Sequence, residues 1–332
     1  MVKGRFIMNP FTELALSGND HSQLETLAKT LIMSNLEKYL AHQDEKIKGV
    51  VDPLRWKLYK QHQGVTIYVE RPGCTSCSEH VSGNDLPLIR GIGNVEGKLD
   101  DLMYGLCSIA LSSLPLEDPF QALVVKWMEI DIPFASTSLV KNRDYVYIDA
   151  TGFVRTKNGE RLAYHLMHSV NFPKTPDLPN RIRGKLSSVA FWRQTGPNAI
   201  EFFGGLFFST LKYAFCGQMK KLTFMLDKKY AESKLQGIPQ RKNVCVTCSS
   251  PMTGRRLGNF GKSNHTCKLC CGFRKVTFCA SCISESTRMS SSTTARTQLV
   301  ASGTNIQGQT NSRMHLFDLS DSIHSNSIVY EY

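Results

Sequence analysis

Cysteine carries the clearest chemistry in this chain. Seven of its eleven cysteines fall within residues 245–282. Six of these form Cys-x-x-Cys pairs: Cys245/Cys248, Cys267/Cys270 and Cys279/Cys282. Cys271 is the seventh, and His265 stands just before Cys267. A Cys-x-x-Cys turn lets two thiolates meet one metal ion, and two such turns supply the four tetrahedral ligands that zinc prefers. The spacing predicts a structural zinc module. A disulfide cluster would need an oxidising compartment, and residues 1–15 are too mixed for a secretory signal.

The rest of the chain must supply a frame for that module. Its 332 residues leave room for one large domain and one small one. Hydrophobic residues make up 41% and charged residues 20%, so a globular core is feasible. No apolar run approaches the ~20 residues that span a bilayer. A cytoplasmic protein with reduced thiols is expected. The formal charge is +12, unevenly placed: residues 236–288 carry nine Lys and Arg against Glu285 alone. A compact basic module wants an anionic partner, whether phosphoinositide, acidic bilayer or nucleic acid. From residue 285 to 332 the sequence turns rich in Ser and Thr with little apolar periodicity, which predicts a disordered tail.

Residues 1–19 carry no clear signal. Ser22 and Glu25 fit a capping box, and Leu24, Ala28, Leu31, Ile32, Leu36 and Tyr39 follow at helical spacing to about His42. Residues 56–60 and 65–70 alternate as a hairpin. Cys74 and Cys77 form another Cys-x-x-Cys pair, but turn residues follow it, which predicts an exposed loop. Residues 88–93 read as a strand and 98–109 as a short helix. Strands are expected over 123–130, 145–151, 161–170, 185–194 and 199–208. Strands joined by turns rather than helices argue for one antiparallel sheet. A long helix over 210–235 closes the region, with Leu211, Phe215, Met219, Leu222, Leu226 and Tyr230 along one side. A sheet curled around it would leave a tunnel suited to an apolar ligand.

No constellation reads as catalytic. His165 and His168 are three apart on one strand and face opposite sides, so they cannot chelate one ion. Asp118, Glu129 and Asp131 lack a partnered nucleophile, so the chain is expected not to be an enzyme.

Several stretches resemble the START lipid-transfer domain. Trp56-Lys57-Leu58-Tyr59, Gly64-Val65-Thr66-Ile67-Tyr68 and Gly91-Ile92-Gly93-Asn94-Val95 look like its opening. Arg143-Asp144-Tyr145-Val146 resembles the family's Arg-Asp-Phe-Val strand, and Arg181-Ile182-Arg183-Gly184 its later strand. The resemblance covers residues 20–235. It implies an α+β helix-grip fold, an antiparallel sheet wrapped on a long C-terminal helix, with a lipid in an apolar cavity beneath that helix. Sterol-binding members carry an Arg near the end of the Arg-Asp-Phe-Val strand. Here Asp149 stands at about that place, so no sterol is implied.

After a linker over 236–243, residues 244–284 resemble a FYVE-type zinc finger. Ser263-Asn264-His265-Thr266-Cys267-Lys268-Leu269-Cys270 matches the family's basic core. A START-like domain joined to such a finger is a combination abundant in oomycetes. The family has four cysteine pairs, cross-braced one with three and two with four, whereas three are present here. If Cys279/Cys282 stand for the third pair, they close a site with Cys245/Cys248. If they stand for the fourth, they close one with Cys267/Cys270. One firm zinc is implied, and a second would need His265 or Cys271. Lys262, His265 and Lys268 are the residues left to meet a lipid phosphate, with Arg255, Arg256, Arg274 and Lys275 as general attraction to an anionic membrane, which the resemblance implies is endosomal. The expected whole is a non-enzymatic lipid-binding protein that associates with membranes through a zinc module. The alternatives are a ligand-free protein–protein adaptor and a nucleic-acid-binding zinc protein, the latter disfavoured because stacking aromatics are scarce.

Overall fold

The computed structural model describes residues 10–12, 14–43, 51–62, 64–71, 88–106, 118–130, 141–205, 210–237, 245, 248–249 and 279–303. Helix α1 runs Gly18–Gln43. It starts before the expected Ser22 because a cap lies further upstream. The Asp20 amide donates to Ser17 Oγ at 3.2 Å, and the Ser17 amide donates to Asp20 Oδ2 at 2.8 Å. That reciprocal pair satisfies helix-start donors that would otherwise lack partners.

Strands β1 (Trp56–His62), β2 (Val65–Glu70) and β3 (Ile89–Glu96) follow. Helix α2 (Leu99–Leu106) interrupts them. Then come β4 (Ala122–Ile130), β5 (Asn142–Arg155), β6 (Arg161–Ser169), the short β7 (Arg181–Arg183), β8 (Ser187–Gly196) and β9 (Ala199–Gly204). They form one sheet in the order β1-β2-β3-β9-β8-β6-β5-β4, with antiparallel neighbours, and β7 pairs in parallel with β5. β3 can lie beside β2 because of its glycines. A Cβ at Gly93 would come within 2.1 Å of the Gly64 carbonyl oxygen.

Period-two alternation sends residues to two cores. Leu162, Tyr164, Leu166, Val189 and Phe191 pack with Leu24, Ala28, Leu31, Ile32 and Tyr39 of α1. Ala163, Ala190, Trp192 and Phe202 pack on the other face with Leu102, Met103 and Tyr104 of α2. Both faces are therefore covered by helix.

The long helix α3 (Thr210–Leu235) matches the expected span. Its packing departs from a helix gripped directly by the sheet, because α2 lies between much of α3 and the strands. The two helices approach so closely that a Cβ at Gly217 would fall 1.6 Å from the Asp101 carbonyl oxygen. Lys221 Nζ lies 2.9 Å from Asp101 Oδ1, and Lys220 Nζ donates to the Tyr104 carbonyl at 3.0 Å. Lys221 and Asp101 are both buried.

The expectation of a disordered tail from residue 285 is corrected over 285–303. Helix α4 runs Ala280–Arg288 and α5 Ser291–Gly303. α5 docks with Ala295 in the α2 core, Ser291 Oγ donating to Asp101 Oδ1 and Tyr104 OH donating to Gln298 Oε1. Residues 304–332 lie outside the described residues.

Asp101→Ala strands the Lys221 ammonium in the interior. It is expected to cost about 3–5 kcal/mol in urea unfolding. Asp101→Leu combined with Lys221→Met should recover most of that loss. A single-variant cost under about 1 kcal/mol would show the pair to be solvated.

Candidate functional site

The four thiols of Cys245, Cys248, Cys279 and Cys282 lie within 4.8 Å of one another. Cys245 Sγ is 3.9 Å from Cys282 Sγ, and Cys248 Sγ is 3.6 Å from Cys279 Sγ. Four thiolates at ~2.3 Å from one ion stand ~3.8 Å apart in a tetrahedron. A disulfide would need about 2.05 Å. The donor set and its spacing fit a tetrahedral thiolate metal site.

Local backbone chemistry presents the thiols. Ser249 adopts φ 56° and its amide donates to the Cys245 carbonyl at 3.0 Å, closing a tight turn around Cys248. Cys279 is the N-cap of α4, and its Sγ accepts from the Cys282 amide at 3.5 Å. A helix N-terminus favours a thiolate there. Burial pushes the Cys279 thiol above its ordinary value, so a cation must displace a proton to bind. Cys245 and Cys282 are buried against Leu222 and Leu226, and Met219 packs beside them. The apolar stripe of α3 thus serves the cysteine cluster in its middle turns. Lys229 of α3 and Glu285 of α4 form an ion pair across the same junction.

Of the two pairings left open by spacing, the structure brings together Cys245/Cys248 with Cys279/Cys282. Cys267, Cys270, His265 and Cys271 lie outside the described residues, as do Lys262, Lys268, Arg255, Arg256, Arg274 and Lys275. Cys74, Cys77 and Asp131 lie outside them as well.

A second cluster, not foreseen as a unit, sits on the α2 side of the sheet. Lys126 Nζ on β4 donates to Asp149 Oδ2 on β5 at 2.8 Å. His165 Nε2 on β6 lies 3.3 Å from Asp149 Oδ1. Burial alone would raise the Asp149 pKa, but the charges and hydrogen bonds of His165 and Lys126 prevail and lower it to about 2. The opposed histidines behave as the strand period requires, His168 Nδ1 meeting Ser187 Oγ at 2.9 Å. Asp118 caps a turn at Phe120, and Glu129 accepts from Asn142 and Arg181, so both have structural partners.

Two stretches singled out in the sequence also meet. Asp144, fully buried on β5, accepts from Arg183 Nε at 3.1 Å, Arg183 Nη2 at 2.9 Å and Trp127 Nε1 at 3.1 Å. All three bonds go to Oδ2, and among the described residues Oδ1 is buried without a hydrogen-bond partner. The carboxylate ties the Arg-Asp-Tyr-Val strand to the Arg-Ile-Arg-Gly segment.

No protein-family model and no curated protein matches this sequence. Among solved structures, human StAR-related lipid transfer protein 5 is 19% identical, with a TM-score of 0.36 over 56% of this chain and 82% of that one. A StAR-related lipid transfer protein fragment from Xanthomonas axonopodis is 16% identical, with a TM-score of 0.30 over 49% and 92%. The human StarD13 (DLC2) lipid transfer and protein localization domain is 14% identical, with a TM-score of 0.29 over 52% and 79%.

Two outcomes follow. Chelation, or Cys282→Ser, is expected to release one metal ion and to raise amide exchange across residues 280–303 and near Leu222 and Leu226. Exchange unchanged on metal removal would separate the cysteines from the helix packing. Asp149→Asn is expected to cost on the order of 2 kcal/mol in unfolding at pH 7. Because the carboxyl is lowered from about 3.9, that difference should persist above about pH 4 and vanish as pH falls towards about 2. A difference still growing below pH 4 would contradict the network.

Proposed function

We propose that this chain is a non-enzymatic lipid-binding protein. It consists of a START-like domain followed by a degenerate FYVE-like zinc module. The observation that carries this reading is the Asp144–Arg183 pair. Two stretches quoted for the START resemblance, far apart in sequence, are joined where two guanidinium N–H groups of Arg183 meet one oxygen of the buried Asp144 carboxylate. The order helix, three strands, helix, six strands, long helix supports it too.

The ligand sits on the α2–α3 side of the sheet and is a lipid other than a sterol. Asp149 holds Lys126 and His165 there, which makes that stretch of wall a closed polar patch. Zinc is structural, held by Cys245, Cys248, Cys279 and Cys282, and His265 or Cys271 would be needed for a second ion. The basic residues around Lys262, His265 and Lys268 draw the module to anionic membranes, including endosomal ones with phosphoinositide.

One observation favours a second reading. Leu102, Met103, Tyr104, Trp192 and Phe202 pack with no more than 1% exposure, as in a filled core. A filled inner face suits a ligand-free adaptor.

Native mass spectrometry of protein purified without chelator tests these readings. One zinc and a lipid-sized adduct are expected, together with flotation on vesicles containing anionic lipid but not on neutral ones. Zinc without any lipid would overturn the carrier in favour of the adaptor. Absence of zinc would remove the metal module, and preference for homopolymer RNA over vesicles at matched salt would favour a nucleic-acid partner.

A further inference from the structure

On the opposite face of the sheet, a groove of about 90 Å³ opens between α1 and the ends of β3, β8 and β9. Asn35, Lys38, Trp56, Arg90, Ser187 and Phe203 contribute to its lining. The Arg90 guanidinium carbon lies over the Trp56 ring, 4.2 Å from its centroid, and over that of Phe203 at 5.3 Å. The five N–H donors of the guanidinium lie in its plane and need acceptors. Among the described residues, the guanidinium has no hydrogen bond and no ion pair. Glu70, the acid that acts on it electrostatically, is held by Arg55 Nε at 2.7 Å.

Among the described residues, the surroundings leave this charge uncompensated. Burial, and then the charge of Arg55, lowers the Arg90 pKa to about 10. His42, packed on Phe203, is lowered by burial and then by Arg90 itself. Lys38 adds an ammonium on the α1 wall. Cations gathered about a concave site with one unmatched guanidinium call for an anion.

We infer that this groove binds a phosphate-type oxyanion through Arg90, with the Lys38 ammonium adding positive potential. Its volume suits a phosphate and excludes a lipid tail, since sites for drug-sized ligands run to about 300 Å³ or more. Guanidinium edges match phosphate oxygens two at a time. Ile89, 52% exposed, lies on the groove's rim, so both free phosphate and the phosphate headgroup of a lipid fit the chemistry. The site is independent of the proposed lipid cavity and of the cysteine cluster.

The test uses the full chain with its metal. Inorganic phosphate is titrated by calorimetry against chloride at equal ionic strength. Vesicles of phosphatidylcholine with phosphatidic acid are compared with vesicles carrying phosphatidylserine at equal charge. Arg90→Gln is expected to weaken phosphate binding at least tenfold. Lys38→Gln, on the exposed side of α1, should weaken it about threefold while leaving the fold intact. Binding of phosphate with no vesicle preference would assign the site to the free ion. A preference for phosphatidic acid that inorganic phosphate competes away and that Arg90→Gln abolishes would assign it to a headgroup. Phosphate that binds no better than chloride, or equally well to the wild type, Arg90→Gln and Lys38→Gln, overturns the inference.

Discussion

Asp101 and Lys221 meet where three helices converge, and the arrangement of the C-terminal half depends on that meeting. Burying two opposite charges costs several kcal/mol for each ion, offset only by close geometry and further hydrogen bonds. Both conditions hold: Lys221 Nζ is 2.9 Å from the carboxylate, and Ser291 donates to the same oxygen. Gly217 makes this possible by letting the α3 backbone lie against the Asp101 carbonyl. Once Gly217 and Lys221 face α2, helical periodicity turns Met219, Leu222 and Leu226 to another side. That side receives Cys245 and Cys282. The ion pair thus fixes the rotation of α3, and the rotation fixes where the cysteines can pack.

The cysteine cluster is therefore continuous with the larger fold. Cys279 and Cys282 open α4, Met289 and Ser290 alone separate α4 from α5, and Ser291 is anchored on Asp101. A chain so short between two fixed points transmits position from one to the other. Joining Cys248 to Cys279 closes a long loop, whose entropy cost rises only with the logarithm of its length. Metal coordination readily supplies free energy of that size. The Lys229–Glu285 pair adds a smaller, partly solvated contact to the same junction.

Legibility in the sequence followed the kind of signal. α3 and the strands announced themselves through apolar periodicity, and the three Cys-x-x-Cys pairs through spacing. α5 did not, because Ser291, Thr294, Ala295 and Leu299 form a face defined by small size more than by hydrophobicity. Small side chains allow close helix approach, but in a linear sequence they look like a solvated tail. β7 has three residues and owes its existence to pairing with β5 and to Arg183 reaching Asp144. The start of α1 was misplaced because two overlapping cap signals, Ser17/Asp20 and Ser22/Glu25, compete, and only packing selects between them. Which cysteine pairs meet depended on the path of the chain, which spacing does not encode.

The two faces of the sheet treat buried charge differently, and that difference separates structural from receptive groups. On the α2 side, Asp149 sits between Lys126 and His165, each within 3.3 Å, so its charge is matched within the protein. At the other end of β5, Asp144 likewise takes up Arg183. The Asp149 carboxylate resists an incoming ligand, since a new partner must displace an existing one, whereas Asp144 engages its cation through Oδ2 alone. Arg90 differs from both. Its neighbours are aromatic faces and other cations, and the nearby carboxylate of Glu70 is bound to Arg55. A half-buried guanidinium whose described neighbours offer no acceptor leaves its donors to solvent or to an incoming anion. The proposed recognition by charge therefore lies on the α1 side of the sheet, opposite the face proposed for an apolar chain.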